Sequence, residues 1–384
     1  MREVAVRNLL NSLGPAPKVA ILRGGGLGDF LVTTPALRAL RAALPDATLV
    51  LLTTAYLDPL ARRYAAIDRV VLVPPCAGVT DGVPNADVLA AFVEAMREEC
   101  FDLALQWVGG GQHSNAFVRR LGARLTAGFR AHGAAPLDYW LPYDPRQHEV
   151  LRYLDLLRLL GAEPQGTALE LPLVPSDYTE LAALDDVLDL ERWRRGELIG
   201  VNLGAGAPTR RWAPEQYAAV INALGEEREI AGVVVDAPED QRPAAARFVN
   251  ALKRPAQAID LAGRTSLGAL IALISRYRLF LTNDSGPAHM ANALGTPTVV
   301  VFGSANPLNW APLNRTWQRV VADWGTPCRY LADDGCAGDS YSPCLQGVTV
   351  DAVLQEARGL LDQREALGDA GRRGRGLLRL VSAP

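Results

Sequence analysis

The sequence is short of several things, and each shortage removes a class of function. No apolar run approaches the roughly 20 residues that a bilayer-spanning helix needs. The opening stretch MREVAVRNLLNSLGPAPK has no sustained apolar segment and no small-residue cleavage site, so it does not read as a secretory signal, and a cytoplasmic protein is expected. Net charge is small. With 39 Lys and Arg against 42 Asp and Glu, the formal charge is −3, which gives no reason to expect nucleic acid as a partner. Five cysteines, an odd number in 384 residues, do not make a disulfide framework. Three of them, Cys328, Cys336 and Cys344, recur every eight residues. A closed zinc site wants four ligands with closely spaced pairs, so a surface loop is expected there and no metal.

Two nucleotide fingerprints are also missing. The loop RGGGLGDF follows an apolar run, but Gly24 and Gly26 are followed by Asp29 where a dinucleotide loop needs its third glycine. Gly26 and Gly28 are followed by Leu31, and the second apolar run ends in Thr53-Thr54 rather than an acid. No G-x-x-x-x-G-K-[ST] occurs either. NAD chemistry and P-loop ATP hydrolysis are therefore not expected at this loop, and no cofactor is implied.

What is present is alternation. KVAIL, ATLVLLTT, VVLV and FDLALQW are apolar throughout and are separated by stretches of helical spacing, such as Leu37, Leu40 and Leu44. Strands without polar alternation imply a parallel sheet covered on both faces. A proline-rich segment, Leu169–Tyr178, reads as a linker. The alternation then restarts with ELIGVNLGAG, EIAGVVVDA, RLFLTND and TPTVVVFGS. Two doubly wound α/β domains are expected, with ligands at the carboxyl ends of the strands and the site in a cleft between the domains.

Two loops carry the candidate chemistry. In the first, Gly25, Gly26 and Gly28 leave room for a bulky group beside Asp29, which either caps the next helix or serves as a general base. In the second, NDSGPAHMANALG, Ser285 stands at an N-cap position, with Gly286 and Pro287 behind it. Backbone N–H groups at Ser285, Gly286 and Ala288 would form an anion site to which His289 adds a donor; a plain capped helix with a core histidine is the alternative. His113, Ser114 and Asn115 follow VGGGQ and line an acceptor pocket or merely a turn. Asp236 and Glu239 end a strand where a ribose hydroxyl would sit. For Trp310 and Trp324 core packing is expected, with stacking on a base or sugar as the alternative.

RGGGLGDFLVTTPALRAL, NLGAGAPTRRWAPEQYA, DLAGRTSLGALIALI, NDSGPAHMANALGTPTVVVFG and NPLNWAP together resemble glycosyltransferase family 9, the ADP-heptose:lipopolysaccharide heptosyltransferase type. The resemblance implies a GT-B fold: an acceptor-binding Rossmann-like domain over 1–172, a nucleotide-sugar-binding one over 173–360, and a closing helix and tail over 361–384 that packs back on the first domain. It implies inverting, metal-independent transfer of a sugar, heptose in the type case, from a nucleotide-diphospho-sugar to a hydroxyl of a glycolipid, polysaccharide or small molecule. Asp29 takes the place of the family's proposed base; Asp284, Ser285, Gly286 and His289 match the segment that holds the donor.

Departures are equally plain. Arg210 stands where the family has a phosphate-binding lysine, Thr265 where some members have methionine, and Ala205 and Gly206 replace two threonines. Arginine keeps the charge but changes reach and geometry. Arg211 either joins Arg210 on the diphosphate or packs on Trp212. A transferase for another sugar, a sugar-nucleotide epimerase or hydrolase, and a non-catalytic nucleotide-sugar binder remain the alternatives. The basic closing stretch GRRGRGLLRL is read as a solvated tail, with peripheral contact to the inner membrane face as the other reading.

Overall fold

A computed structural model describes residues 9–326 and 343–367. The chain divides into two compact units, Met1–Glu170 and Leu171–Pro384. The first holds six strands: β1 (Lys18–Leu22), β2 (Thr48–Thr53), β3 (Arg69–Leu72), β4 (Leu103–Gln106), β5 (Leu125–Arg130) and β6 (Tyr139–Pro142). They lie in the order β3-β2-β1-β4-β5-β6, every pairing parallel. In β1, Val19 to Leu22 are at most 1% exposed, as expected for a central strand with helices on both faces.

The second unit repeats the plan. Its strands are β7 (Ile199–Asn202), β8 (Val233–Asp236), β9 (Ala258–Asp260), β10 (Leu279–Asn283), β11 (Thr298–Phe302) and β12 (Gln318–Ala322). The order is β12-β11-β10-β7-β8-β9, again all parallel. Counted from its own first strand, each sheet reads 3-2-1-4-5-6, the Rossmann order, and GT-B is the fold class. The switch point falls between β1 and β4 in one unit and between β7 and β10 in the other. One helix of the second unit, Val350–Ala366, lies along its core with Val353, Leu354, Ala357, Leu360 and Leu361 buried among residues of β7, β8, β10 and β11.

Two sequence expectations need correction. The linker is not irregular throughout, because Pro175–Ala182 is a helix. Asp177, fully buried, accepts the Val174 N–H at 3.0 Å, and Glu180 accepts the Gly268 N–H at 3.1 Å. Proline at the first helical position and an acid two residues on are helix-start signals that the proline content masked. Trp324 is not core, for it is 46% exposed. Cys328, Cys336 and the basic closing stretch lie outside the described residues; Cys344 is buried.

Candidate functional site

The loop leaving β1 runs straight into a five-residue helix, Leu27–Leu31. Asp29 sits at its third position and reaches back to accept the Gly26 N–H on Oδ2 at 2.8 Å. So short a helix gains little from its own bonds, and this one side-chain contact stabilises its start. The Asp29 side chain nevertheless stays 37% exposed. Gly25 makes the geometry feasible. It has φ +93°, and a Cβ there would stand 2.9 Å from Asp29 Oδ2. Only glycine meets both demands without strain.

Arg23, which sequence reasoning passed over, holds the other carboxylate oxygen. Its Nη2 donates to Asp29 Oδ1 at 3.1 Å and its Nη1 to the Trp107 carbonyl at 2.7 Å. The loop leaving β4 ends in His113, at the N-cap of the helix Ser114–Arg120. A Cβ on Gly78 would collide with the His113 ring, and the Val79 carbonyl faces Gly24. Residues 78–79 therefore connect the glycine loop to His113 on one side of the first sheet. Ser114 and Asn115 are buried and serve the loops themselves: Ser114 Oγ bonds the Val108 carbonyl at 2.9 Å and Asn115 Nδ2 the Phe129 carbonyl at 3.0 Å.

In the second unit the switch point is crossed by asparagines. Asn202, ending β7, donates to Thr282 Oγ1 at 3.1 Å and Ser285 Oγ at 3.2 Å. Asn283, ending β10, donates to the Leu203 carbonyl at 2.9 Å and accepts from the Trp212 N–H at 2.9 Å and the Tyr217 hydroxyl at 3.0 Å. These bonds bring NLGAGAPTRRW beside NDSGPAH although some 80 residues separate them. Thr209 and Ser304 share a further hydroxyl bond of 2.9 Å, which draws in the loop after β11. Arg210 Nη1 lies 3.7 Å from Asp284 Oδ2, with the guanidine 30% exposed and the carboxylate 5%. Arg211 Nε donates to the Ala205 carbonyl at 2.9 Å.

The helix Gly286–Leu294 begins as expected, but its N-terminus differs in detail. Ser285 occupies the N-cap position, yet its hydroxyl turns to Asn283 and Asn202 instead of the first turn. The Ala288 N–H, expected to be open, bonds the Ser285 carbonyl at 3.0 Å. Pro287 has no N–H, so the open donors of this turn reduce to those preceding the proline, with the helix dipole behind them. His289 is buried, its ring edge-on to Trp310 at 6.0 Å.

At the end of β8, Asp236 accepts from Thr265 Oγ1 at 3.0 Å. Burial pushes its carboxyl up to about 7, against the opposing hydrogen bonds from Thr265 and the Ala237 N–H. A Cβ on Gly263, at φ +72°, would collide with Glu239 Oε2, so Glu239 folds over the same loop. Three residues singled out separately thus form one group. A recess of about 260 Å³ at the start of β8, bordered by Ile221, Asn222, Lys253 and Arg254, holds none of the expected site residues. Among the described residues no three His, Cys, Asp or Glu side chains cluster as a metal site, and no helix is long and apolar enough to cross a membrane.

Residues 89–333 match the model of Glycosyltransferase family 9 (heptosyltransferase). Lipopolysaccharide heptosyltransferase 2 of Escherichia coli is 26% identical over 365 residues, covering 91% of this chain and all of that protein. Lipopolysaccharide heptosyltransferase 3 of the same organism is 25% identical over 77% of this chain and 85% of its own length. Among solved structures, a family 9 glycosyltransferase of Veillonella parvula superposes with a TM-score of 0.72 at 21% identity, covering 91% and 98% of the two chains. The E. coli ADP-heptose lipopolysaccharide heptosyltransferase II gives 0.68 at 23%, over 91% and 99%. An E. coli heptosyltransferase with ADP gives 0.62 at 19%, over 89% and 99%.

Proposed function

This chain belongs to glycosyltransferase family 9, and we propose that it is an inverting enzyme that moves a heptosyl group from ADP-heptose to a hydroxyl of a lipopolysaccharide-type glycolipid. The names of the relatives support the donor and the acceptor. The observation that carries the chemistry is Asp29, a carboxylate with both oxygens oriented yet more than a third exposed.

In this reading Asp29 accepts the proton of the acceptor hydroxyl while that oxygen bonds to the anomeric carbon from the face opposite the diphosphate. The bond from the anomeric carbon to the diphosphate oxygen breaks, and its electron pair leaves with the phosphate. Arg210 and the N-terminus of Gly286–Leu294 are suited to receive that charge, each such donor being worth about 3 kcal/mol in a water-excluded site. Cationic side chains and helix N–H groups supply the role a divalent ion plays in other transferases, so turnover is expected to survive chelators. Asp236, Thr265 and Glu239 suit the nucleoside.

The departure at Arg210 leaves a different sugar as the second reading. A thermal-shift panel separates the two. ADP and ADP-heptose should raise the melting temperature more than UDP, GDP or their sugars, and a preference for UDP or GDP would end the heptose assignment. Asp29→Asn should keep ADP binding and lose turnover by roughly 10²–10⁴-fold, the span of general-base catalysis. Unchanged turnover would remove Asp29 from the role.

A further inference from the structure

Burying an arginine is costly unless every donor finds a partner, and Arg23 is 4% exposed in the core of the first unit. Its fork is spent almost wholly on one residue. Nε and Nη2 donate to the Asp29 carbonyl, Nε at 2.8 Å, and Nη2 also reaches Asp29 Oδ1 at 3.1 Å. That carbonyl is available because the helix ends early: the Thr33 N–H bonds the Phe30 carbonyl instead. Nη1 anchors the guanidinium to the Trp107 carbonyl, at the end of the neighbouring β4.

Behind the fork lies a second layer from the helix Glu149–Leu160. The Tyr153 ring covers the guanidinium at 5.5 Å, and its hydroxyl reaches the same Trp107 carbonyl at 3.3 Å. Arg152, 1% exposed, pairs with Glu149 at 3.1 Å and stacks on Tyr143 at 4.1 Å. Burial raises the Glu149 carboxyl, while Arg152 and Arg23 pull it down. Packing alone would be served by a methionine or leucine. A planar fork that fixes the backbone and the side chain of one residue together is what arginine adds.

We propose that Arg23 is a positioning residue that sets the Asp29 carboxylate for proton transfer, with the Tyr153 ring and the Trp107 carbonyl holding its guanidinium in register. This rests on Asp29 being the base. No proton passes through Arg23; it fixes where the carboxylate oxygens stand, and an error of an ångström there costs about a hundredfold in rate.

The test is steady-state kinetics with ADP-heptose and heptose-lacking lipopolysaccharide, beside ADP binding and thermal melts. Arg23→Lys keeps the buried charge but not the fork. Its kcat should fall about a hundredfold, with KM for ADP-heptose and ADP affinity within twofold of wild type. Millimolar guanidinium should raise kcat of Arg23→Ala at least tenfold and leave Asp29→Asn unchanged. Wild-type kcat in Arg23→Lys, with Asp29→Asn inactive, overturns the positioning role and spares the base. Full turnover in Asp29→Asn overturns the base itself. If both Arg23 variants fail to fold, Tyr153→Leu, which removes the ring covering the guanidinium, decides: a severalfold drop in kcat at constant KM supports the proposal, and an unchanged kcat overturns it.

Discussion

The two sheets share one strand order, yet their switch points are built from opposite materials. Between β1 and β4 the crossing is made by a buried cation, Arg23, and the group it offers is a carboxylate. Between β7 and β10 the crossing is made by neutral amides, Asn202 and Asn283, and the groups offered are a guanidinium and a helix N-terminus. The scaffold therefore specifies where a ligand sits, while the charge of the crossing residues specifies which sign it meets. The proposed transfer needs a proton acceptor and a phosphate receiver of opposite sign, and one topology used twice with different crossings is suited to supply both.

The comparison can be broken at its strongest joint. Asn283→Ala would strand the Trp212 N–H, the Tyr217 hydroxyl and the Leu203 carbonyl in the core, so a loss of about 3–5 kcal/mol is expected in chemical denaturation of the second unit. A loss under 1 kcal/mol would mean that the asparagine crossing is not what joins the two loops. Arg210→Ala should cost about 3 kcal/mol of transition-state stabilisation, read as a hundredfold or greater fall in kcat/KM, whereas Arg210→Lys should recover most of it.

A smaller effect sharpens the contrast between the two carboxylates. Asp236 titrates near 7 in the folded protein, well above an unfolded aspartate, so the native state binds the extra proton between about pH 4 and 7. The stability this contributes is complete below that window and lost as pH rises through 7. Asp236→Asn cannot titrate, and its stability relative to wild type should improve by on the order of 2 kcal/mol from pH 5 to pH 8. A pH-independent difference in melting temperature would show that burial does not hold Asp236 protonated. The smallest change is Gly25→Ala, about 1–2 kcal/mol of backbone strain at φ +93°, with turnover falling because Asp29 must give way.

Much of the fold was legible because the central strands are apolar end to end and the intervening helices keep their spacing. Of the strands that escaped notice, β6, β9 and β12 lie at sheet edges, where residues such as Trp140 and Asp260 are partly exposed and blur the apolar signal, while interior β5, LTAGFR, has its apolar run broken by threonine and glycine. Asp29, Arg210 and the Ser285–Gly286 turn were found because they stand next to glycine or proline in loops. Arg23 and the two asparagines were missed because a polar residue beside a buried strand has no periodic signature; the hint was position, Asn202 and Asn283 closing their strands and Arg23 directly following β1.

The order of residues alone settled the two α/β alternations, the glycine that frees Asp29 and the proline that opens the helix at Gly286, since each depends on neighbours a few positions away. Tertiary structure decided that Arg23 meets Trp107, that Asn283 meets Trp212 and Leu203, and that Thr265 meets Asp236. Those partners stand 29 to 84 residues apart, and they come together only because parallel strands, ordered by crossover connections, place distant carboxyl ends side by side.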